Sequence, residues 1–131
     1  MHELIREPLF SDIEEIKEIY HKYGLAGETN FLIKNQVVGI FKENEFLVGE
    51  DPYAVQCIMG KSEVAGFDIE KANSFMNLDG YTVIGLVEGD DLICIDNSTG
   101  HIYLSLIETG EGENVKIADS IETFISKINL I

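Results

Sequence analysis

The amino-acid sequence predicts an α+β domain: a twisted, mainly antiparallel sheet with helices at the N- and C-terminal ends. Two observations predict this fold class. Short apolar segments follow one another from residue 31 onward with polar or glycine-containing turns between them, which is typical of consecutive hairpins. Helical spacing of apolar residues occurs near residues 12–23 and 120–129. A chain of 131 residues can bury about two-thirds of its unfolded surface, so we expect a single domain over residues 1–131.

The first predicted element is a helix over residues 12–23. Ser11 and Glu14 form a capping-box pattern, in which each side chain can accept a hydrogen bond from a backbone amide at the helix start. Apolar side chains then recur at helical spacing and form one stripe: Ile13, Ile16, Tyr20 and Tyr23. Gly24 is a natural end for this helix.

Residues 31–60 are predicted to form short strands separated by polar turns. The strands are expected at residues 31–33, 37–41, 46–48 and 53–59, and the turns between the first three at 34–36 and 42–45. A short helix is expected next, over residues 68–76, where Asp68 is a suitable cap. Its apolar side would consist of Ile69, Ala72, Phe75 and Met76.

The C-terminal half is predicted to contain hairpins and a closing helix. Strands are expected at residues 81–87, 92–95, 101–107 and 115–117, with turns at 88–91 and 96–100 and an acidic loop at 108–114. Gly100 can take the positive φ that the second turn needs. The closing helix is expected over residues 120–129, with Asp119 as its cap. Its buried stripe would be Ile121, Phe124, Ile125 and Ile128.

The charge of the chain restricts its partners. It carries 9 basic and 24 acidic residues, a formal net charge of −15, while 45% of its residues are hydrophobic. The apolar fraction predicts a folded protein and not an acidic disordered tail. Nucleic acid and an anionic membrane surface are disfavoured because both need lysine and arginine to contact their phosphates. A basic protein is the partner type that suits this charge best.

The motifs of an enzyme or metal site are missing from the sequence. There is no CxxC, no zinc-type histidine pair, no phosphate-binding glycine loop and no GxSxG turn. Cys57 and Cys94 lie inside apolar segments, which favours buried thiols over a disulfide or a metal site. We therefore expect no catalytic residue, no cofactor and no metal. The N-terminus lacks a signal-peptide pattern and no apolar run reaches the length of a membrane span, so a cytoplasmic location is expected.

Acidic residues in strand connections are the candidate protein-binding residues. They are Glu88, Asp90, Asp91, Glu108, Glu111 and Glu113, which hairpin order could gather at one end of the sheet. The alternative for each of them is an ordinary solvated loop acid. Asp90, Asp91 and Asp96 flank one strand and could also hold a cation or act as acid and base. Solvated hairpin ends are favoured, because the sequence supplies no partner that would perturb a carboxyl pKa.

Four segments in the C-terminal half carry a family resemblance. They are GYTVIG at residues 80–85, GDDLICID at 89–96, TGHIY at 99–103 and IADSIETFI at 117–125. In this order and spacing they resemble the SUKH superfamily, the Smi/Knr-like domains that include many bacterial immunity proteins. The resemblance extends over residues 79–128. It implies helices around a twisted sheet and no catalytic residues to transfer.

The resemblance also implies a function. A protein of this kind neutralises, inside the producing cell, a toxin domain delivered between competing bacteria, often a nuclease or a deaminase. Such toxins are often basic where they hold nucleic acid, which suits a partner with a net charge of −15. One alternative is a regulatory or scaffolding domain that binds a host protein, as the yeast relatives of the superfamily suggest. Another is a small enzyme or small-molecule binder that uses a pocket under the sheet.

Overall fold

The structure, a computed structural model, describes residues 5–76, 79–89, 91–105 and 114–128. Its strands are β1 (Ile5–Pro8), β2 (Gly39–Val48), β3 (Asp51–Ile58), β4 (Tyr81–Val87), β5 (Leu92–Asp96), β6 (Ile102–Ser105) and β7 (Asn114–Ala118). Its helices are α1 (Ile13–Lys22), α2 (Ala26–Lys34), α3 (Ile69–Met76) and α4 (Ile121–Lys127), with a 3-10 turn at Ala65–Phe67. The predicted α+β fold class is confirmed.

The described strands form one seven-stranded sheet in the order β1-β2-β3-β4-β5-β6-β7. Each strand pairs antiparallel with its neighbours along the chain. Residues 82–87 of β4 and 92–95 of β5 are buried throughout, so these central strands are covered on both faces. The hydrophobic core therefore lies on both sides of the middle of the sheet.

Helix α1 forms where the sequence predicts it, with a different cap. The side chain of Asp12, and not that of Ser11, accepts from the backbone N–H groups of Glu14 and Glu15, at 2.9 and 3.3 Å. Asp12 lies one residue closer to the first turn, where its carboxylate reaches two orphan amides at once. Gly24 takes a φ of +76° and ends the helix as expected.

Two predictions in residues 31–48 are wrong. Residues 31–33 belong to helix α2, because a short apolar run fits a helix turn as well as a strand. Residues 42–45 lie inside the single strand β2 and do not form a turn. An irregularity between Ile40 and Asn44 lets β2 keep its pairing with β3 there. The Asn44 side chain is buried and donates to the carbonyl oxygen of Ile128, at 2.9 Å, which explains a polar residue at this point of a strand.

The predicted hairpins of the C-terminal half are confirmed in the described residues. Strands β4, β5, β6 and β7 lie in the expected places, and Gly100 takes a φ of +80° in the turn before β6. Residues 106–107, at the end of the predicted third strand, lie outside the described residues, as do residues 108–113 of the acidic loop predicted at 108–114; Asn114 is the first residue of β7. Strand β1, which the sequence did not indicate, adds one edge to the sheet.

Of the caps predicted for the last two helices, one is confirmed and one is wrong. Asp68 caps α3 as predicted and accepts from the N–H of Lys71, at 2.9 Å. Helix α4 is capped by Ser120, which accepts from the N–H of Thr123 at 3.1 Å, and not by Asp119. Asp119 instead forms an ion pair with Lys116, and this pair holds the pKa of the Asp119 carboxyl below its ordinary value.

Asn73 joins α3 to the sheet in a way that the sequence did not indicate. Its side-chain amide donates to the carbonyl oxygen of Val83, at 2.9 Å, and accepts from the N–H of the same residue, at 2.7 Å. It also donates to the carbonyl oxygen of Ile69, at 2.7 Å. Val83 is fully buried and lies in the part of β4 that extends beyond the pairing of β4 with β3. The amide thus takes the place of a missing strand partner.

Replacing Asn73 with alanine is expected to lower the free energy of unfolding by about 2–3 kcal/mol, because two buried backbone groups of Val83 lose their partners. Chemical denaturation with an unchanged m value measures this loss. The matched control is Ser74→Ala, since the neighbouring Ser74 is exposed. Equal stability of the two variants would contradict the role assigned to Asn73.

Candidate functional site

Glu88 is the one predicted candidate that the structure describes as an exposed acid. It follows β4 in the turn that leads toward β5, and its backbone N–H donates to the carbonyl oxygen of Ala54 on β3, at 2.9 Å. This bond fixes the turn against the neighbouring strand, and the Glu88 side chain is exposed at this end of the sheet. The other candidates Asp90, Glu108, Glu111 and Glu113 lie outside the described residues.

Asp91 is not a solvated loop acid. It is 4% exposed, and its carbonyl oxygen accepts from the N–H of Val87, at 2.9 Å, so the residue is held inside the hairpin. The reason is its place directly before β5, whose residues 92–95 are all buried. A buried carboxylate does not take part in the first encounter with a partner, so Asp91 is removed from the surface candidates.

Asp91 and Asp96 are also not brought together as a cation site or an acid–base pair. They lie before and at the end of β5, which separates them by about 16 Å at the usual rise of a strand. The Asp96 carboxylate accepts from the hydroxyl and the N–H of Ser98, at 2.7 and 2.8 Å, and these bonds lower the pKa of Asp96. Its role is to close the turn before β6.

Other acids accompany Glu88 at the same end of the sheet. In the β2–β3 register, Glu45 lies opposite Ala54, whose carbonyl oxygen binds the N–H of Glu88. Glu50 and Asp51 are exposed at the turn between the same two strands. We call this surface the acidic end, and define it as Glu45, Glu50, Asp51 and Glu88. Sequence reasoning missed three of these residues: it placed Glu45 in a turn at residues 42–45, and it did not count Glu50 and Asp51, between two predicted strands, among the candidate acids.

The acidic end also contains an exposed apolar side chain. Leu47 is 57% exposed and lies two residues after Glu45 on the same face of β2. It pairs in register with Pro52, which is also exposed. The backbones of Ser105 and Asn114, which precede and follow the undescribed residues 106–113, pair with each other. Ser105 also pairs with Leu92, the first residue of β5, so both lie at this end of the sheet.

A cleft lies at the opposite end of the sheet. It has a volume of about 1160 Å³ and opens between the end of β1, the last turn of α1, residues 61–63 and helix α3. Two ion pairs hold its walls together by joining α1 to the other side: Lys22 with Glu70, and Lys61 with Glu15 at 2.8 Å. Tyr23 lines the cleft, and burial together with the nearby Glu70 raises its pKa. The acidic end and the cleft are separated by the length of strand β3, about 26 Å at the usual rise of a strand.

The two cysteines lie outside both surfaces and are buried. Burial raises the pKa of both Cys57 and Cys94 to about 12, so each is a neutral thiol near pH 7 and a poor nucleophile. No cluster of His, Cys, Asp and Glu suited to a metal ion occurs in the described ranges. The buried Tyr20 hydroxyl donates to the carbonyl oxygen of Met59, and burial raises its pKa, so it serves packing.

Comparison of this chain with protein-family models, with curated proteins and with solved structures finds no match. None of the described helices is long and apolar enough to cross a membrane.

Proposed function

We propose that this protein is a non-enzymatic immunity protein of the SUKH type, which binds and neutralises a basic toxin domain inside the cell that produces both. The observation that supports the proposal most is the acidic end, where four exposed carboxylates lie at the same end of the sheet as the exposed Leu47. A net charge of −15 adds a long-range attraction for a basic partner.

The two kinds of residue at the acidic end have different effects on binding. The exposed carboxylates of Glu45, Glu50, Asp51 and Glu88 speed the encounter, since complementary charge raises association rates by roughly 10- to 1000-fold. Leu47 is an apolar anchor that loses its water on binding and so slows dissociation. Neutralisation then follows by steric block: the acidic protein occupies the surface where a nuclease or deaminase would hold nucleic acid.

The primary test is a calorimetric titration of this protein with the C-terminal domain encoded by the gene directly upstream. We expect one-to-one binding that weakens as salt is added, because part of the attraction is between unlike charges. Absence of heat together with absence of co-elution would reject immunity for that pair. Regulation of a host protein would then be the better hypothesis.

Charge reversal locates the binding surface. The double variant Glu50→Lys and Glu88→Lys is expected to slow association about tenfold at low salt and to reduce the dependence of the rate on ionic strength. Both residues are exposed in turns, so the fold should be kept. Stopped-flow or surface-resonance kinetics measure the rate.

The matched control is the double variant Glu18→Lys and Glu122→Lys, which changes the net charge by the same amount at exposed positions on α1 and α4. It should slow association much less, because the charges lie away from the acidic end. If both double variants slow association equally, net charge and not the acidic end governs the encounter. Leu47→Ser should raise the dissociation rate while leaving the association rate nearly unchanged.

A further inference from the structure

Phe75, on the predicted apolar side of α3, is 86% exposed, which is unusual for a large apolar side chain. It lies on α3, one helical turn after Lys71, and lines the cleft together with Tyr23 and Pro8. The exposed ring of Phe75 and the half-buried Tyr23 give the cleft apolar surface that an occupant can cover.

The charges left free to face an occupant are acidic. Lys61 is paired with Glu15 at 2.8 Å, and the ammonium of Lys71 donates to two backbone carbonyl oxygens, at 3.0 and 3.3 Å. Glu7 and Glu63 also line the cleft and are exposed, and within the described ranges their carboxylates take part in no hydrogen bond or ion pair. Both lysines of the cleft thus have partners within the protein, whereas Glu7 and Glu63 are exposed carboxylates without one in the described ranges.

The size of the cleft indicates the kind of occupant. Its volume of about 1160 Å³ is slightly above the roughly 300–1000 Å³ of common small-molecule sites, and it is open to solvent. An extended peptide alternates the direction of its side chains, so one segment can offer both apolar side chains for Phe75 and cations for Glu7 and Glu63. A second copy of this chain is disfavoured as the occupant, because two molecules with a net charge of −15 repel each other.

We infer that this cleft binds an extended segment of another protein in which lysine or arginine alternates with aliphatic or aromatic residues. The apolar side chains of the segment cover Phe75 and Tyr23, and its cations pair with Glu7 and Glu63. The inference does not rest on the proposed immunity function, because the cleft and the acidic end lie at opposite ends of the sheet. It gives the protein a second binding surface.

The test uses the full chain and a short fluorescein-labelled peptide in which lysine and leucine alternate. We expect saturable binding by fluorescence anisotropy, with amide chemical-shift changes concentrated at Tyr23, Glu63 and Phe75. Phe75→Ser and Glu63→Lys should each raise the Kd about tenfold. Leu47→Ser, at the acidic end, is the matched control and should leave the Kd unchanged.

Four results would overturn the inference. The first is no saturable binding, and the second is shift changes that map to the acidic end. The third is equal affinity for a peptide in which glutamate replaces lysine. The fourth is a dimer, seen by light scattering, that Phe75→Ser dissociates, since the occupant would then be a second copy. Thermal melts of the variants confirm that any lost binding is not lost folding, which is expected because Phe75 and Glu63 are exposed.

Discussion

Replacing Gly60 with alanine should destabilise the protein by about 3 kcal/mol or more, at the upper end of the usual cost of overpacking. A Cβ at this position would lie 2.2 Å from the carbonyl oxygen of Leu9 and 2.9 Å from both the Leu9 Cβ and a Val38 methyl. Movement of this carbonyl oxygen would break the hydrogen bond that it accepts from the N–H of Lys61, at 2.6 Å.

Gly60 is also the point where three parts of the fold meet. Its N–H donates to Phe67 at 3.1 Å, and its carbonyl oxygen accepts from Ile69 at 2.9 Å, so it fixes the start of α3 next to the segment after β1. Movement away from Leu9 would break these bonds. Thermal melting measures the effect, which should be a fall in Tm of roughly 10 °C for a chain of this size.

Gly27→Ala is the control for the Gly60 variant. Gly27 lies in α2, and a Cβ there meets nothing within 4 Å, so alanine should stabilise the helix by up to about 1 kcal/mol. The two substitutions add the same methyl group with opposite expected signs. If the Gly60→Ala variant has the same Tm as the unchanged protein, Leu9 does not approach Gly60 as closely as described.

Phe124→Ala should lower the free energy of unfolding by about 3–5 kcal/mol, the usual cost of removing a buried aromatic ring. Phe124 is fully buried on α4, and its ring packs edge-to-face on Phe46 of β2, with ring centroids 5.5 Å apart. Phe46 also stacks on Tyr53 of β3, at 5.8 Å. Loss of the ring therefore opens a cavity between the closing helix and two strands.

The matched control for Phe124 is Phe75→Ala, which removes the same ring from a position that is 86% exposed. Its effect on stability should stay within about 0.5 kcal/mol. Urea denaturation of both variants measures the difference, and an equal loss in the two would contradict the placement of Phe75 in solvent. Together the pair separates a structural phenylalanine from one available for binding.

The sequence allows the hairpins of the C-terminal half to be predicted because each has a strong turn signal between apolar runs. It does not reveal α2, since residues 31–33 show too little of a period to distinguish helix from strand. Residues 42–45 look like a turn because they are polar, but the partner strand and the Ile128 carbonyl oxygen give Asn44 a place in β2. Such partners lie far along the chain and leave no local pattern.

The two surfaces were predictable to different degrees. Hairpin order places Glu88 at a sheet end, but the burial of Asp91 and the inclusion of Glu45 depend on strand register, which a single sequence does not specify. The cleft combines segments near residues 8, 23, 61 and 75, whose meeting depends on the packing of α1 and α3. By its spacing, Phe75 belongs to the apolar side of α3 together with Ile69 and Ala72. Only the tertiary packing of α3 shows that Phe75 is exposed to solvent.

The consecutive strand order has a consequence for how the chain folds. Six of the seven strands, β2 to β7, pair with partners that follow closely or after a single short helix, so most of the sheet has a low contact order for a β-rich protein. Strands β2 to β7 can therefore pair one hairpin at a time, without first bringing together residues that are far apart in the chain. Pairing of β1 is the exception, because the loop that it closes contains α1 and α2. The edge strand that forms one wall of the cleft is thus the part of the sheet with the slowest closure, and the cleft is completed late in folding.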